Sequence, residues 1–276
     1  MSQETTQSES ASTRLLLRET MTTGMMRPIA FGTVAAFSTR CPGKSTDNED
    51  AAALIEVGTS AAVLAVADGV GGHAAGAMAA SLTVQAMADA VRAAEDPTNL
   101  RDAVLTGFEN ANRAVTDIGV GAATTLSAVE LHPDGLRSYH VGDSPILLVS
   151  QRGRVRLQII SHSPVGYAVE SGMLPEQEAM HHADRHVVSN LVGSDQMRIE
   201  ISSRLNMQRR DTLLLASDGL FDNLHTREIV EIIRKGPLPK AADRLAELTL
   251  QRMSATGGDE PSKPDDLTFL IFRRSA

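Results

Sequence analysis

The sequence predicts an α+β fold in which two antiparallel β-sheets are sandwiched between pairs of helices, with one irregular excursion over about residues 161–195. Three observations predict it. Apolar runs in Val66–Gly72, Leu213–Asn223 and Pro264–Phe272 each carry aspartate at one end, which reads as buried strands presenting rigidly held carboxylates. Helical stripes come in pairs between strand-rich segments. No linker inside residues 28–276 is long enough to separate two cores, so one domain is expected there.

Taken in order, residues 1–27 are expected to be a disordered tail, because MSQETTQSESAST offers almost nothing to bury. IAFGTVAAFSTR then reads as a strand, followed by a polar loop with Lys44, Asp47, Glu49 and Asp50 that runs into AAALIEV. After VADGVGG a helix is predicted, with Ala80, Val84, Met87 and Val91 on one face. Its leading glycines lack the Gly-Lys-Ser/Thr ending of a nucleotide loop. A second helix follows Pro97, striped by Leu100, Val104, Phe108, Ala111, Val115 and Ile118.

From Ala122 the period becomes two, and Asp134-Gly135 sits in a hairpin turn between polar arms. The second arm ends at Asp143, and Val155, Leu157 and Ile159 alternate with polar residues as in a half-buried strand. Residues 161–195 break the rhythm and carry four of the eight histidines, with a short helix predicted near Pro175–Met180. His181, His182 and His186 lack a completing ligand for zinc and read as surface residues. MRIEISSR and DTLLLASDG resume the strands. One helix opens at Thr226 and Glu228, another follows Pro239, and a polar loop, Gly257–Asp266, feeds the last strand.

The 42% hydrophobic content suffices for a sizeable core, and with 3% aromatics that core must be built from Ala, Val, Leu, Ile and Met. A formal net charge of −8 argues against nonspecific nucleic-acid or anionic-membrane binding. The lone Cys41 excludes an internal disulfide framework and reads as a packing residue. The longest apolar run, Ala61–Ala67, is far below the ~20 residues of a membrane span. No N-terminal secretory signal is visible, so a cytoplasmic location is expected, and the chain is separately expected to be a monomer.

The strand-end acids Asp68, Asp143, Asp218, Asp222 and Asp265, with Glu49, Asp50 and Asp266, are hard oxygen donors that select Mg²⁺, Mn²⁺ or Ca²⁺ over zinc or copper. An aspartate bridging two ions ~3.5–4 Å apart would hold an activated water for phosphate-ester hydrolysis.

NEDAA (Asn48–Ala52), DGVGGHAAG (Asp68–Gly76), ATTL with VGDS, SDGLFD (Ser217–Asp222) and DDLT (Asp265–Thr268) stand in an order that resembles the PP2C family of metal-dependent Ser/Thr protein phosphatases, especially its bacterial branch. The resemblance spans about Gly32–Phe272. It implies a PP2C-like β-sandwich in which residues 161–195 form a flap beside the active site. It also implies Mn²⁺ or Mg²⁺ as cofactor, with two ions and a third, weaker position. In that scheme Asp68 bridges both ions, Gly69 lends its carbonyl, and Asp218 and Asp265 complete the first ion's ligands. Glu49 and Asp50 would hold the second ion's waters, and Asp143 with Asp222 the third position. The implied reaction is in-line attack of a metal-bridging hydroxide on phosphoserine or phosphothreonine, on substrates phosphorylated by a bacterial Ser/Thr kinase.

Three departures stand out. Ser45 occupies the place of the family's common phosphate-gripping arginine, with Lys44 one residue earlier as its substitute. Val70 follows Asp68-Gly69 where eukaryotic members have histidine, and His73, further on, reads as a helix-start residue rather than a general acid. Pro145 replaces the usual arginine after GDS. The missing arginine motivates an alternative, a weakly active or inactive regulatory module that binds a phosphoprotein. Retention of a carboxylate at every implied ligand position favours the enzyme. A metal-dependent nuclease or phosphodiesterase would use similar acids but fits poorly with the acidic charge.

Overall fold

The structure, a computed structural model, describes residues 13–29, 31–70, 74–94, 96–119, 121–255 and 260–275. The chain opens with strands β1 (Thr13–Leu17), β2 (Met25–Ile29), β3 (Gly32–Thr39), β4 (Asp50–Val57) and β5 (Ala61–Val70). Helices α1 (Ala74–Ala93) and α2 (Leu100–Ile118) follow. Next come β6 (Ala123–Thr124), β7 (Leu126–His132), β8 (Gly135–Val141), β9 (Ile146–Val149) and β10 (Val155–Gln158). The excursion carries α3 (Pro164–Glu170) and α4 (Glu176–Ala179) before β11 (Glu200–Ile201), β12 (Leu205–Asn206) and β13 (Thr212–Ala216). The chain closes with α5 (Asp218–Phe221), α6 (Thr226–Ile233), α7 (Leu238–Met253) and β14 (Leu267–Arg274).

One sheet runs β1-β4-β5-β7-β8-β11, with β6 on β5 and β12 on β8; the other runs β10-β9-β13-β14-β3-β2. Among the described residues every strand pairing is antiparallel. The central strands are buried on both faces, which explains why they read as continuous apolar runs rather than alternating ones. In β5, Ala61, Val63, Ala65 and Ala67 face α1 and α2, while Ala62, Leu64 and Val66 face the second sheet. In β13, Leu213 and Leu215 face the first sheet, and Leu214 and Ala216 pack toward α6 and α7. Three apolar layers result: helices on sheet, sheet on sheet, and sheet on helices. No helix of the described residues is long and apolar enough to cross a membrane.

The expectation of a disordered tail over residues 1–27 is corrected for its second half; residues 1–12 lie outside the described residues. β1 pairs with β4 over Thr13↔Ile55 to Leu17↔Ala51, and β2 pairs with β3 over Met25↔Ala36 to Ile29↔Gly32. The cause is burial: Leu16 is enclosed between the sheets, and Leu15 and Leu17 pack against the helix-side core. The segment IAFGTVAAFSTR is accordingly split between two paired strands. Pro28, which has no N–H to donate, is tolerated because β2 is an edge strand. Leu16→Ala is expected to destabilise the protein by about 2–5 kcal/mol. Urea unfolding checks this, and a stability unchanged from wild type would return residues 13–17 to the tail.

Two further differences concern the excursion and its exit. Helix α3 lies where the sequence predicts no helix; Ser163 caps it by accepting from Gly166 N at 2.9 Å, and Pro164 follows at its first position. MRIEISSR is expected to be a full strand but contributes only the two residues of β11, which pair with Tyr139 and His140.

Candidate active site

Strand ends from both sheets meet at one edge of the sandwich. β4 starts at Asp50 and β5 passes through Asp68, and the two residues are direct partners across the ladder. On the second sheet, β13 ends at Ala216 and leads through Ser217 into α5, whose first residue is Asp218, while Asp265 and Asp266 immediately precede β14. The sheets are stitched here by Ser217. Its hydroxyl donates to Asp50 Oδ2 at 2.7 Å and accepts from Thr268 N at 3.1 Å. In the sequence Ser217 is only the first letter of SDGLFD; its position just past a buried strand is the available signal.

Backbone geometry fixes the acids. Asp68 N donates to Thr125 Oγ1 at 3.0 Å, Thr125 N donates to Asp68 O at 2.9 Å, and Thr124 Oγ1 donates to Asp68 O at 2.8 Å. Thr125 and Ser144 hydroxyls lie 2.6 Å apart, linking ATTL to GDS. Gly142 has φ +101°, and a Cβ there would lie 2.6 Å from Thr125 Cγ2, so only glycine makes the turn that delivers Asp143. At Gly219 a Cβ would lie 2.0 Å from Asp266 O. That contact lets α5 seat directly against the Asp265-Asp266 turn.

The acids lie close enough to disturb one another. Burial, then Asp50, Asp218, Asp265 and Asp143, push the Asp68 carboxyl well above its ordinary value. Asp50 is likewise raised by burial, against the lowering effect of the Ser217 hydrogen bond and with Asp266, Asp265 and Asp218 raising it further. Burial, Asp218 and Asp222 raise Asp143 to about 7. Asp222 and Asp265 are each raised to about 6 by burial and Asp218, with Lys263 opposing.

Two lysines border this charge. Lys44 Nζ lies 2.7 Å from Glu49 Oε2 and 2.6 Å from Asp266 Oδ2. Although burial alone would lower it, hydrogen bonds to Asp266 and Glu49 hold its ammonium above the ordinary lysine range. Asp266 also accepts from Cys41 N and Glu49 N, each at 2.7 Å. Its carboxylate is thus clasped by three donors and anchors the loop of residues 41–49, a role its place among the acids does not reveal. The second lysine escapes sequence reasoning. Lys263 Nζ lies 2.6 Å from Asp222 Oδ2, 2.8 Å from Asp218 Oδ2 and 3.2 Å from Asp265 Oδ2. By pattern it is one more residue of a polar loop.

Hard cations fit this donor set. Glu49 Oε1 and Asp50 Oδ1 are buried without any hydrogen-bond partner, the condition in which a buried carboxylate oxygen calls for a cation. Among the described residues, tight triads of potential ligands lie at His140, His162 and Glu200 and at His225, Glu228 and Glu260. In the first triad, His162 Nδ1 accepts from Gly142 N, which leaves the ring proton on Nε2 beside Glu200 and describes a structural network. His181, His182 and His186 are exposed and belong to neither triad. His73 lies outside the described residues.

Beside the acids, a cavity of about 410 Å³ is lined by Asp143, Asp218, Asp222, Arg185, Ser163 and Val165, among others. The excursion forms one wall. Its two ends are tied together by Ser189 N donating to His162 O at 2.8 Å, and to the acid-bearing turn by His162 N donating to Gly142 O at 3.1 Å.

Residues 39–260 match the family described as Protein phosphatase 2C. The chain belongs to the protein phosphatase 2C family. Among relatives of this phosphatase-family chain, the serine/threonine phosphatase stp of Listeria welshimeri is 26% identical over 243 residues, covering 83% of this chain and 90% of that protein. The putative protein phosphatase 2C-type of Streptococcus pyogenes is 28% identical over 198 residues, covering 69% of this chain and 80% of that protein. The fold matches the serine/threonine phosphatase of S. agalactiae with a TM-score of 0.77 at 26% identity, over 89% of this chain and 100% of that one. It also matches the catalytic domain of the phosphatase PstP in complex with two manganese ions, with a TM-score of 0.69 at 27% identity, over 92% of this chain and 100% of that one.

Proposed function

We propose that this protein phosphatase 2C member is an active metal-dependent protein serine/threonine phosphatase. The observation that carries the reading is the meeting of Asp50, Asp68, Asp218 and Asp265 at the join of the two sheets, with Glu49 Oε1 and Asp50 Oδ1 buried and unpartnered. A binding module would have no need to crowd acids whose mutual repulsion raises their pKa values. The manganese-bound PstP structure and the serine/threonine phosphatases among the relatives support the same reading.

We assign Asp68 and the Gly69 carbonyl, with Asp218 and Asp265, to one Mn²⁺ or Mg²⁺, and Asp68 with Glu49 and Asp50 to a second. When bound, such ions supply positive charge for phosphoryl oxygens and acidify water. The chain's own residues do the rest. Ser217 orients Asp50 through its 2.7 Å hydrogen bond, and the Thr124-Thr125 pair fixes the Asp68 backbone. The Asp143-to-Arg185 cavity receives the phosphorylated side chain, its size lying in the range of ligand pockets of ~300–1,000 Å³. Arg185 places positive charge in its wall. The substrates would be phosphoproteins, with a bacterial Ser/Thr kinase as the opposing enzyme.

Hydrolysis of p-nitrophenyl phosphate and a phosphothreonine peptide, with Mn²⁺, with Mg²⁺ and with EDTA, tests the reading. Metal-dependent release supports it; no release from folded, metal-loaded protein overturns it in favour of the regulatory module. Lys44 spends two of its three N–H donors on Glu49 and Asp266, and we assign the third to substrate phosphate. Lys44→Ala is then expected to raise KM roughly tenfold, the worth of a charged hydrogen bond, with a smaller change in kcat. An unchanged KM removes Lys44 from substrate contact.

A further inference from the structure

Lys263 is held in place from both sides. Its backbone N–H donates to Asn223 Oδ1 at 2.8 Å, and its carbonyl accepts from Asn223 Nδ2 at 2.8 Å, so one buried side-chain amide grips both polar groups of the residue. Asn223 Nδ2 also donates to Gly219 O at 2.9 Å, which ties the grip to α5, the helix that Asp218 opens and Asp222 follows. Pro264 follows directly and restricts the Lys263 backbone toward extended conformations. Ser262 Oγ donates to Arg252 O at 2.9 Å, fastening the preceding residue to α7. A lysine that merely lay across an acidic surface would not need such anchoring.

The side chain is fixed as firmly as the backbone. Three carboxylate oxygens, from Asp222, Asp218 and Asp265, surround Nζ at 2.6, 2.8 and 3.2 Å, matching its three N–H donors. Asp143, the other acid of the implied third-ion position, lines one cavity with Asp218 and Asp222 and feels the charges of Asp222 and Lys263. A divalent ion at that position would bring two positive charges to within a few ångströms of a fixed ammonium. At such distances like charges repel strongly even at an effective dielectric of ~20.

We propose that Lys263, clamped by Asn223, is a resident cation that takes the third-ion position beside Asp143 and Asp222, so that this chain works with two divalent ions rather than three. The inference rests on the metal-dependent reading above. It makes Lys263 a positioning residue for Asp222 and Asp218, and Asn223 a positioning residue for Lys263. Asp218 and Asp265 can each serve an ion and Lys263 together, because the ammonium touches only the Oδ2 of each.

The test counts ions by equilibrium dialysis of the full chain against increasing Mn²⁺ until binding saturates, for wild type, Lys263→Met, Lys263→Gln and Lys263→Met/Asp143→Asn. Wild type is expected to hold two ions, both single variants three, and the double variant two again. Met and Gln keep the stem of the side chain while removing its charge, and circular dichroism confirms that each counted protein is folded. Three ions on the wild type, or two on the single variants, overturns the resident cation while leaving the metal-dependent reading intact. No ion on the folded wild type overturns both. Should neither single variant fold, Lys263→Arg serves instead: it keeps the charge and must still hold two ions, and three would overturn the proposal.

Discussion

Asp218→Asn is expected to abolish metal-dependent phosphate release, with kcat falling by at least about 10³-fold. Asp68→Asn is expected to do the same. The reason is donor chemistry: an amide replaces a carboxylate at almost unchanged volume, so packing survives while a charged oxygen donor is lost. For Asp68, the backbone bonds to Thr124 and Thr125 do not involve the carboxylate and remain. Removing one negative charge from a crowded set also relieves repulsion, so the Asp68→Asn protein should melt no lower than wild type in EDTA. Steady-state hydrolysis in Mn²⁺ and a melting curve of each variant check both halves. Near-native turnover by either variant sinks the site assignment, whereas inactivity with a collapsed melting curve would show a structural role instead.

Much of the fold is legible because buried strands announce themselves. Val63 to Ala67 and Leu213 to Ala216 are apolar at every position, which requires cover on both faces and therefore a layered sandwich. An acid terminating such a run has no reason to be there except to face something at the mouth, so Asp68 and Asp218 stand out, while Asp134 in a polar turn does not. The relatives' family agrees with the ordered motifs, and the two-sheet architecture with the sandwich.

What the sequence hides is set by partners distant along the chain. Leu15–Leu17 is too short a run to mark a strand; it becomes one because β4 offers an open edge and the sheets leave room for Leu16. Asp266 looks like Asp265, yet one anchors a loop through Cys41, Lys44 and Glu49 while the other meets Lys263. Lys263 itself has no local pattern at all. Its place follows from an amide 40 positions away, Asn223, and no periodicity registers a contact of that kind.

The acid cluster should also dominate the stability of the metal-free protein, and with an inverted pH dependence. Asp143 holds its proton up to about 7, and Asp222 and Asp265 to about 6, while in the unfolded chain each loses it at ~3.9. These folded values are raised, so their contribution is fully present below about pH 4, where both states are protonated. It is lost as pH rises through 6 and 7, because the native state must then ionise acids that the unfolded chain has already ionised at no cost. A roughly tenfold difference in proton affinity between the folded and unfolded chain is worth about 1.4 kcal/mol. The acids discharge as a group, so the loss is on the order of several kcal/mol, or a Tm fall of roughly 10 °C. Mn²⁺ should reverse the slope, since its binding needs the carboxylates ionised and stabilises the native state by mass action. The increase in Tm on adding Mn²⁺ is therefore expected to be larger at pH 8 than at pH 5.5. Thermal melts in EDTA and in Mn²⁺ across that range measure it. A metal-free Tm that climbs from pH 5.5 to 8, or a Mn²⁺ shift independent of pH, would mean that these carboxylates do not share one field and do not serve one pair of ions.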